Sequence, residues 1–175
     1  MIVLGIDPGS HRTGWGIVRS AGNRCEHVAS GILHGGEGGL AERLLRIADG
    51  LDAILSRHNP EALSIENIFH AKNAQSALAL GHARGVAVLC AVRHGLSVFE
   101  YTAGQIKQAT TGRGRAEKEQ VQAMVRIILG LGGEVELGLD ESDALAAAVC
   151  HAQLHATATM SRWQSAIEDA KRAAK

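Results

Sequence analysis

The chain has 175 residues, 46% of them hydrophobic and 21% charged, which excludes general disorder and gives one domain room for a core without disulfides or zinc. Eighteen basic and 18 acidic residues leave a formal net charge of zero, so a nucleic-acid surface would require local clustering. Three widely spaced cysteines without a CxxC pair, no signal-peptide pattern and no apparent membrane span lead us to expect a cytoplasmic protein with reduced thiols.

The first third of the chain predicts three strands, because short apolar runs alternate with glycine-rich or polar turns. The runs cover residues 2–6, 15–18 and 27–33. Strands this close in sequence favour an antiparallel meander at the start of a sheet.

The pattern then becomes helical from Leu40 to Ile54, and Asn59-Pro60 closes that segment. Strands and helices alternate afterwards: a strand over 62–65, a long Ala/Leu/Val helix over about 74–92, a strand over 98–101, a short helical piece near Gln105, a helix around 121–128 and a last helix from near Asp140. The order βββαβαβαα, without linker or repeat, predicts one α/β domain over residues 1–158 with helices on both faces of a mixed sheet. Residues 159–175 form a tail that we expect to be loosely held.

Four acidic residues stand at the ends of predicted elements: Asp7, Glu66, Asp140 and Asp143. Each has a structural explanation when taken alone. The Asp7-Pro8-Gly9 segment favours a type II turn, a carboxylate such as Glu66 at a strand end is most often solvated, and Asp140 suits a helix N-cap.

The combination of these acids predicts metal-dependent chemistry. If the first and fourth strands are neighbours, Asp7 and Glu66 meet at one sheet edge, and the last helix could bring Asp140 and Asp143 there. Two carboxylates about 4 Å apart repel by about 4 kcal/mol at an effective dielectric near 20. Such a cluster favours Mg²⁺, with Mn²⁺ as a substitute, and two ions about 4 Å apart can promote phosphodiester hydrolysis.

Four stretches of the sequence, in order, resemble the RuvC Holliday-junction resolvases: GIDPGSHRTGWGIV (5–18), IENIFHAKNAQSALALGHARGVAV (65–88), FEYTAGQIKQATTGRGRAEKEQVQAMV (99–125) and DESDALAAAVCH (140–151). The resemblance implies an RNase H-like fold with a five-stranded sheet and assigns the four acids as metal ligands. The glycine-rich residues 130–139 anchor the register poorly, so Glu134, Glu136 and Glu141 are rivals of Asp140. We favour Asp140 because the DxxDAL pattern matches as a unit.

Candidate DNA-binding residues lie in two segments. A basic cluster surrounds a glycine-containing loop and consists of Lys107, Arg113, Arg115 and Lys118, although adjacent glutamates also fit a merely solvated surface. The resemblance implies that Lys107 and Lys118 lie near the scissile phosphate, with Lys118 taking part in catalysis. It also implies that Phe69 wedges against or stacks on junction bases beside Lys72 and Asn73, whereas a phenylalanine is otherwise most often a core residue.

The long helix carries small residues at four-then-three spacing: Ala77, Gly81, Gly85 and Val88. Close packing of another element explains glycines inside a helix, and that element could be the chain's own sheet or a second subunit. The resemblance implies a homodimer, which would present two active sites to the two-fold symmetric four-way junction.

The resemblance further implies symmetric cleavage of four-way DNA junctions in recombination and repair, in association with a branch-migration motor. Three alternatives remain: an RNase H-like nuclease for another branched or RNA-containing substrate, a junction-binding module without catalysis, and an actin-like ATPase. The ATPase is disfavoured because the sequence has neither a second DxG motif nor a phosphate loop of the GxxxxGK[ST] type.

Overall fold

A computed structural model describes the backbone of residues 1–22, 24–67, 74–133 and 135–173, and side chains in these ranges up to residue 158. Five strands form one mixed sheet: β1 (Ile2–Asp7), β2 (Arg12–Ala21), β3 (Arg24–His34), β4 (Ala62–Glu66) and β5 (Ser97–Tyr101). The strand order is β3-β2-β1-β4-β5, with β1 antiparallel to β2 and parallel to β4. This arrangement confirms the predicted meander and the mixed five-stranded sheet.

The neighbouring positions of β1 and β4 place the first two acids at one edge. Ile6 pairs with Ile65, so Asp7 and Glu66 end the two parallel strands side by side. Leu4, Ile6, Leu63 and Ile65 pack into one core cluster, whereas Val3 belongs to the other. Since side chains alternate along a strand, Asp7 and Glu66 project toward the face opposite that of Ile6 and Ile65.

Helices cover both faces of the sheet, as predicted. The helices α1 (Leu40–His58) and α2 (Ala74–Arg93) share a core with Leu4 and Ile6. Three more helices cover the other face: α3 (Ala103–Thr111), α4 (Lys118–Ile128) and α5 (Leu139–Ala173). The face that carries Asp7 and Glu66 is therefore the one against which α5 packs.

Two features extend beyond the sequence prediction. The short helical piece near Gln105 is a complete helix with a capping box at its start. The Thr102 hydroxyl accepts from the Gln105 backbone N–H, and the Gln105 side-chain Oε1 accepts from the Thr102 backbone N–H. The order is thus βββαβαβααα. The backbone of α5 also continues through residue 173, so most of the predicted tail over 159–175 is helical. Cys25, Cys90 and Cys150 are all free thiols.

Candidate active site at the end of the central strands

Glycines in the two strands under α5 let this helix approach the sheet closely. A Cβ added at Gly5 would lie 1.9 Å from the Ala144 carbonyl oxygen, and one at Gly14 would lie 2.1 Å from that of Asp140. Gly14 is also the residue that pairs with Asp7. The missing side chain on β2 therefore places the first turn of α5, with its two aspartates, beside the end of β1.

The site itself is a cavity of about 370 Å³ with acidic and basic walls. Its charged lining consists of Asp7, Glu66, Asp143, Lys107 and Lys118. Apolar side chains complete the walls: Pro8, Leu80, Ala103, Ile106 and Val121. The structure thus brings together three of the four predicted acids and two of the three predicted lysines.

Two cations are paired with the aspartates of α5. The Lys118 ammonium donates to Asp143 Oδ2 at 2.5 Å. Arg12 Nε lies 3.0 Å from Asp140 Oδ2, so Asp140 is held at the side of the site by a residue that the sequence analysis did not single out. In this arrangement, no three carboxylate, imidazole or thiol groups of the described residues converge on one point.

The electrostatics of the site favour an additional cation. Burial, together with the nearby Asp143, Asp140 and Glu66 carboxylates, raises the pKa of Asp7 to about 7, and Lys118 opposes this shift. Burial and Asp143 also raise the pKa of Glu66. The hydrogen bond to Asp143 raises the pKa of Lys118. A buried carboxylate so poorly compensated, among other hard oxygen donors, fits a divalent metal ion.

The start of α5 separates the rival acids. Gly138 N–H donates to Glu141 Oε2 at 3.1 Å, so Glu141 caps the helix and Asp140 stands inside the first turn, which makes the N-cap interpretation of Asp140 wrong. Glu136 is exposed on the connection before the helix, and Glu134 lies outside the described residues. Of the described rivals, Asp140 is the one among the carboxylates that raise the pKa of Asp7.

The turn after β1 is not the type II turn that its sequence favours. Such a turn needs a positive φ at its third residue, and Gly9 does not have one among the described positive-φ residues. Gly9 instead allows close backbone contact, because an added Cβ would lie 2.3 Å from the Arg12 carbonyl oxygen. The Thr13 hydroxyl donates to the Gly9 carbonyl at 2.7 Å and fixes this loop beside Asp7.

Arg113 and Arg115 are not among the residues that line the cavity. Arg113 and Arg115 are exposed on the connection between α3 and α4. This connection begins at Gly112, which caps the end of α3 with a φ of 74°. This connection joins the helices that carry Lys107 and Lys118. Phe69, Lys72 and Asn73 lie outside the described residues.

The histidines do not contribute a metal site within the described part of the chain. His151 is 2% exposed, and its Nδ1 lies 2.7 Å from the Tyr101 hydroxyl on β5. His94 Nε2 lies 3.1 Å from Asp52, and His82 is exposed on α2. His151 is therefore a structural residue, and His82 and His94 are surface residues.

One side of α2 presents apolar and small residues to the exterior. Leu78, Leu89 and Val92 are 64%, 58% and 57% exposed, and they share a helix face with Gly81 and Gly85. A Cβ at either glycine would meet nothing within 4 Å. Packing on the chain's own sheet therefore does not explain these glycines.

Comparisons with known proteins agree with this arrangement. The family model described as "Crossover junction endodeoxyribonuclease RuvC" matches residues 3–151. A crossover junction endodeoxyribonuclease RuvC from Pseudomonas aeruginosa (strain LESB58) is 52% identical over 151 residues, which are 86% of this chain and 86% of the relative. The structure of Thermus thermophilus RuvC has a TM-score of 0.82 at 34% identity and covers 91% of this chain and 98% of that one. The same Thermus protein in complex with a Holliday junction substrate gives a TM-score of 0.83 at 34% identity, over 91% of this chain and 97% of that one.

Proposed function

This chain belongs to the RuvC family of crossover junction endodeoxyribonucleases, and we propose that it resolves Holliday junctions by hydrolysing DNA phosphodiesters in the acidic cavity at the ends of β1 and β4. The observation that carries the assignment of this cavity is the meeting of Asp7, Glu66 and Asp143 with two lysines around it. Carboxylates and ammonium groups in one cleft suit the hydrolysis of an anionic ester better than the recognition of a neutral ligand.

The four acids would hold the metal ions on which this family of nucleases depends. Asp7 and Glu66 come from adjacent strand ends and Asp140 and Asp143 from the first turns of α5, and we assign two Mg²⁺ ions to them, with Mn²⁺ as a substitute. Bound there, the ions supply an activated water and charge stabilisation at the leaving oxygen. Because burial and neighbouring carboxylates raise the pKa of Asp7 to about 7, a bound cation would stabilise its ionised form.

The lysines are assigned to the substrate phosphate. The Lys118 side chain is 60% exposed while its ammonium contacts Asp143, whose side chain is 23% exposed. Lys118 can turn toward a phosphodiester in the cavity if a bound metal ion takes its place beside Asp143. There it neutralises the charge that develops on the phosphate oxygens, which makes it the catalytic cation. Lys107 lines the same cavity and positions the strand by a second contact.

The other predicted residues are assigned to the DNA around the cut. Arg113 and Arg115 are exposed beside the cavity helices, where they bind backbone phosphates. We assign Phe69 to stacking on unpaired junction bases, with Lys72 and Asn73 as phosphate or base contacts, on the resemblance alone.

The exposed face of α2 supports a homodimer. Its glycines leave room for close approach by another helix, and its leucines and valine supply apolar area that a monomer would leave in water. By length and composition α2 could also cross a membrane, with a mean hydropathy of 1.3. Its opposite side packs into the core through Ala83, Ala87, Cys90 and Ala91, so we favour the dimer.

The wider organisation follows from the family. We propose a nuclease domain over residues 1–158 and an extension over residues 159–175, acting in the cytoplasm together with a branch-migration motor. Symmetric cuts require two active sites related by a two-fold axis, which the proposed dimer supplies.

The test uses a synthetic four-way junction, a linear duplex of the same sequence and an RNA–DNA hybrid, each with Mg²⁺ or EDTA. We expect paired symmetric nicks in the junction alone, dependent on metal and lost in Asp143→Asn. Cleavage of the hybrid would favour another RNase H-like substrate. Tight junction binding without cleavage would favour a binding module.

A further inference from the structure

A second cavity, of about 440 Å³, lies beside the acidic one. Leu80 of α2 lines both, and the loop after β1 separates them, with Pro8 in the acidic cavity and Ser10 and His11 in the second. α1 contributes Arg43, and the first turn of α2 contributes Gln75 and Ser76. The two cavities are therefore adjacent, with Leu80 as a common wall.

The lining of the second cavity has the chemistry of an anion site. Two basic side chains, two hydroxyls and one amide face it, and no carboxylate is among its described lining residues. These are the side-chain types that bind DNA backbone phosphates. The acidic cavity next to it, in contrast, carries three carboxylates.

Arg43 has hydrogen-bonding capacity to spare in this cavity. Its Nη1 donates to the Gly38 carbonyl at 2.8 Å, which anchors the guanidinium against the glycine-rich loop before α1. Its Nε is buried and has no hydrogen-bond partner among the described residues. A buried donor without a partner is unfavourable, and this guanidinium, whose described acceptor is the Gly38 carbonyl, would gain a counter-charge from an anion in the cavity.

The surrounding loops hold this guanidinium in place. Gly35 lies between two backbone segments, because an added Cβ would be 2.4 Å from the Ser10 carbonyl oxygen and 3.0 Å from Arg43 Cβ. Gly35 N–H also donates to the His11 carbonyl at 2.8 Å. The stem of Arg43 is therefore packed against this loop, whereas His11, Gln75 and Ser76 are exposed members of the lining.

We propose that this second cavity binds the backbone phosphate of the nucleotide next to the scissile one, with Arg43 as its principal cation. The proposal rests on the proposed function, since it takes the acidic cavity as the place where the strand is cut. Holding the neighbouring phosphate fixes the direction in which the strand enters the acidic cavity. Arg43 is thus a positioning residue, and it does not take part in the chemistry.

Arg46 supplies a matched control. Its Nη1 donates to the carbonyls of Gly35 and Glu37, so it stabilises the same loop, but it does not line the cavity. A purely structural role of Arg43 would make Arg43→Gln and Arg46→Gln behave alike.

The experiment measures binding of the full-length protein to a four-way junction in EDTA over a range of salt concentrations. Arg43→Gln is expected to bind about tenfold more weakly, as when one charge-assisted hydrogen bond is lost, with the slope of log K against log[salt] reduced by about 0.9. Arg46→Gln is expected to keep the slope of the unmodified chain. Equal slopes in both variants would overturn the proposal.

Junctions with single neutral methylphosphonates beside the cleavage point identify the phosphate. At one flanking position, the neutral phosphate is expected to weaken binding by the unmodified chain but not to weaken binding by Arg43→Gln any further. If neutralisation weakens both proteins equally at every position, the assignment is refuted. If Arg43→Gln lowers the melting temperature, His11→Ala replaces it in this comparison. The neutral phosphate at the same position must then weaken the unmodified chain but not His11→Ala. Failure of the unmodified chain to bind the junction would overturn the proposed function as well, whereas failure of this subsite alone leaves junction cleavage intact.

Discussion

Replacing Asp7 by asparagine should stabilise the metal-free protein at alkaline pH while abolishing cleavage. The Asp7 pKa rises from 3.8 to about 7 on folding, chiefly because the carboxyl is buried and secondly because Asp143 lies nearby. An acid whose folded pKa is raised binds its proton more tightly in the folded state. The free energy of unfolding therefore falls as the pH rises through the interval from about 4 to 7.

The size of the effect follows from the same shift. Three pKa units correspond to about 4 kcal/mol, which is an upper value for the penalty of ionising Asp7 at pH 8. Asparagine has nearly the same shape and no charge, so Asp7→Asn removes this penalty. The stability difference between variant and parent should be small at pH 4 and grow by about 2–4 kcal/mol by pH 8.

The assay is denaturant unfolding in EDTA at pH 4 and pH 8, at one fixed protomer concentration because a dimer's stability depends on it. Asp49→Asn, at an exposed aspartate of α1, is the control and should change stability little at either pH. Added Mg²⁺ at pH 8 should stabilise the parent and leave Asp7→Asn almost unaffected. A difference that does not change with pH, or a variant less stable at pH 8, would refute the assigned burial and repulsion at Asp7.

Three further predictions concern other parts of the molecule. Lys118→Met should lower the single-turnover cleavage rate by about 10²–10³-fold, with a much smaller change in junction binding in EDTA, and equal losses in both would contradict its catalytic role. Gly14→Ala should destabilise the protein by about 1–3 kcal/mol in thermal unfolding and reduce cleavage, because its Cβ would lie 2.1 Å from the first turn of α5. The control is Gly133→Ala, whose Cβ would meet nothing within 4 Å and which should leave stability unchanged. Leu89→Glu should give monomers in sedimentation velocity, and Leu45→Glu, at a leucine 62% exposed on α1, should remain dimeric; a Leu89→Glu dimer would exclude the α2 face as the interface.

Local patterns in the sequence determined the elements and the order in which they occur. Short apolar runs marked the first strands, and helical spacing marked α1 and α4, because each pattern reflects local backbone geometry. The positions of Asp7 and Glu66 at strand ends were visible for the same reason. The family resemblance added the two aspartates of the last helix as a unit.

Charge partners were beyond the reach of those patterns. Arg12 is distant in sequence from Asp140, and no local spacing indicates that they pair. The capping role of Glu141 and the conformation of the Asp7-Pro8-Gly9 segment likewise depend on which backbone groups meet after folding. The sequence analysis therefore offered the N-cap and the type II turn as reasonable local alternatives, and the structure contradicts both.

The tertiary structure alone decided which side of the sheet carries the site and how closely α5 approaches it. The sequence determined that Asp7 and Glu66 end their strands. The alternation of side chains along a strand does not indicate which face of the sheet a distant helix will cover. Gly5 and Gly14 admit α5 at a separation that any Cβ would prevent, and this brings Asp143 into the cavity. The physical reason is that periodicity records the environment of each residue along its own element, whereas an active site depends on contacts between elements far apart in the chain.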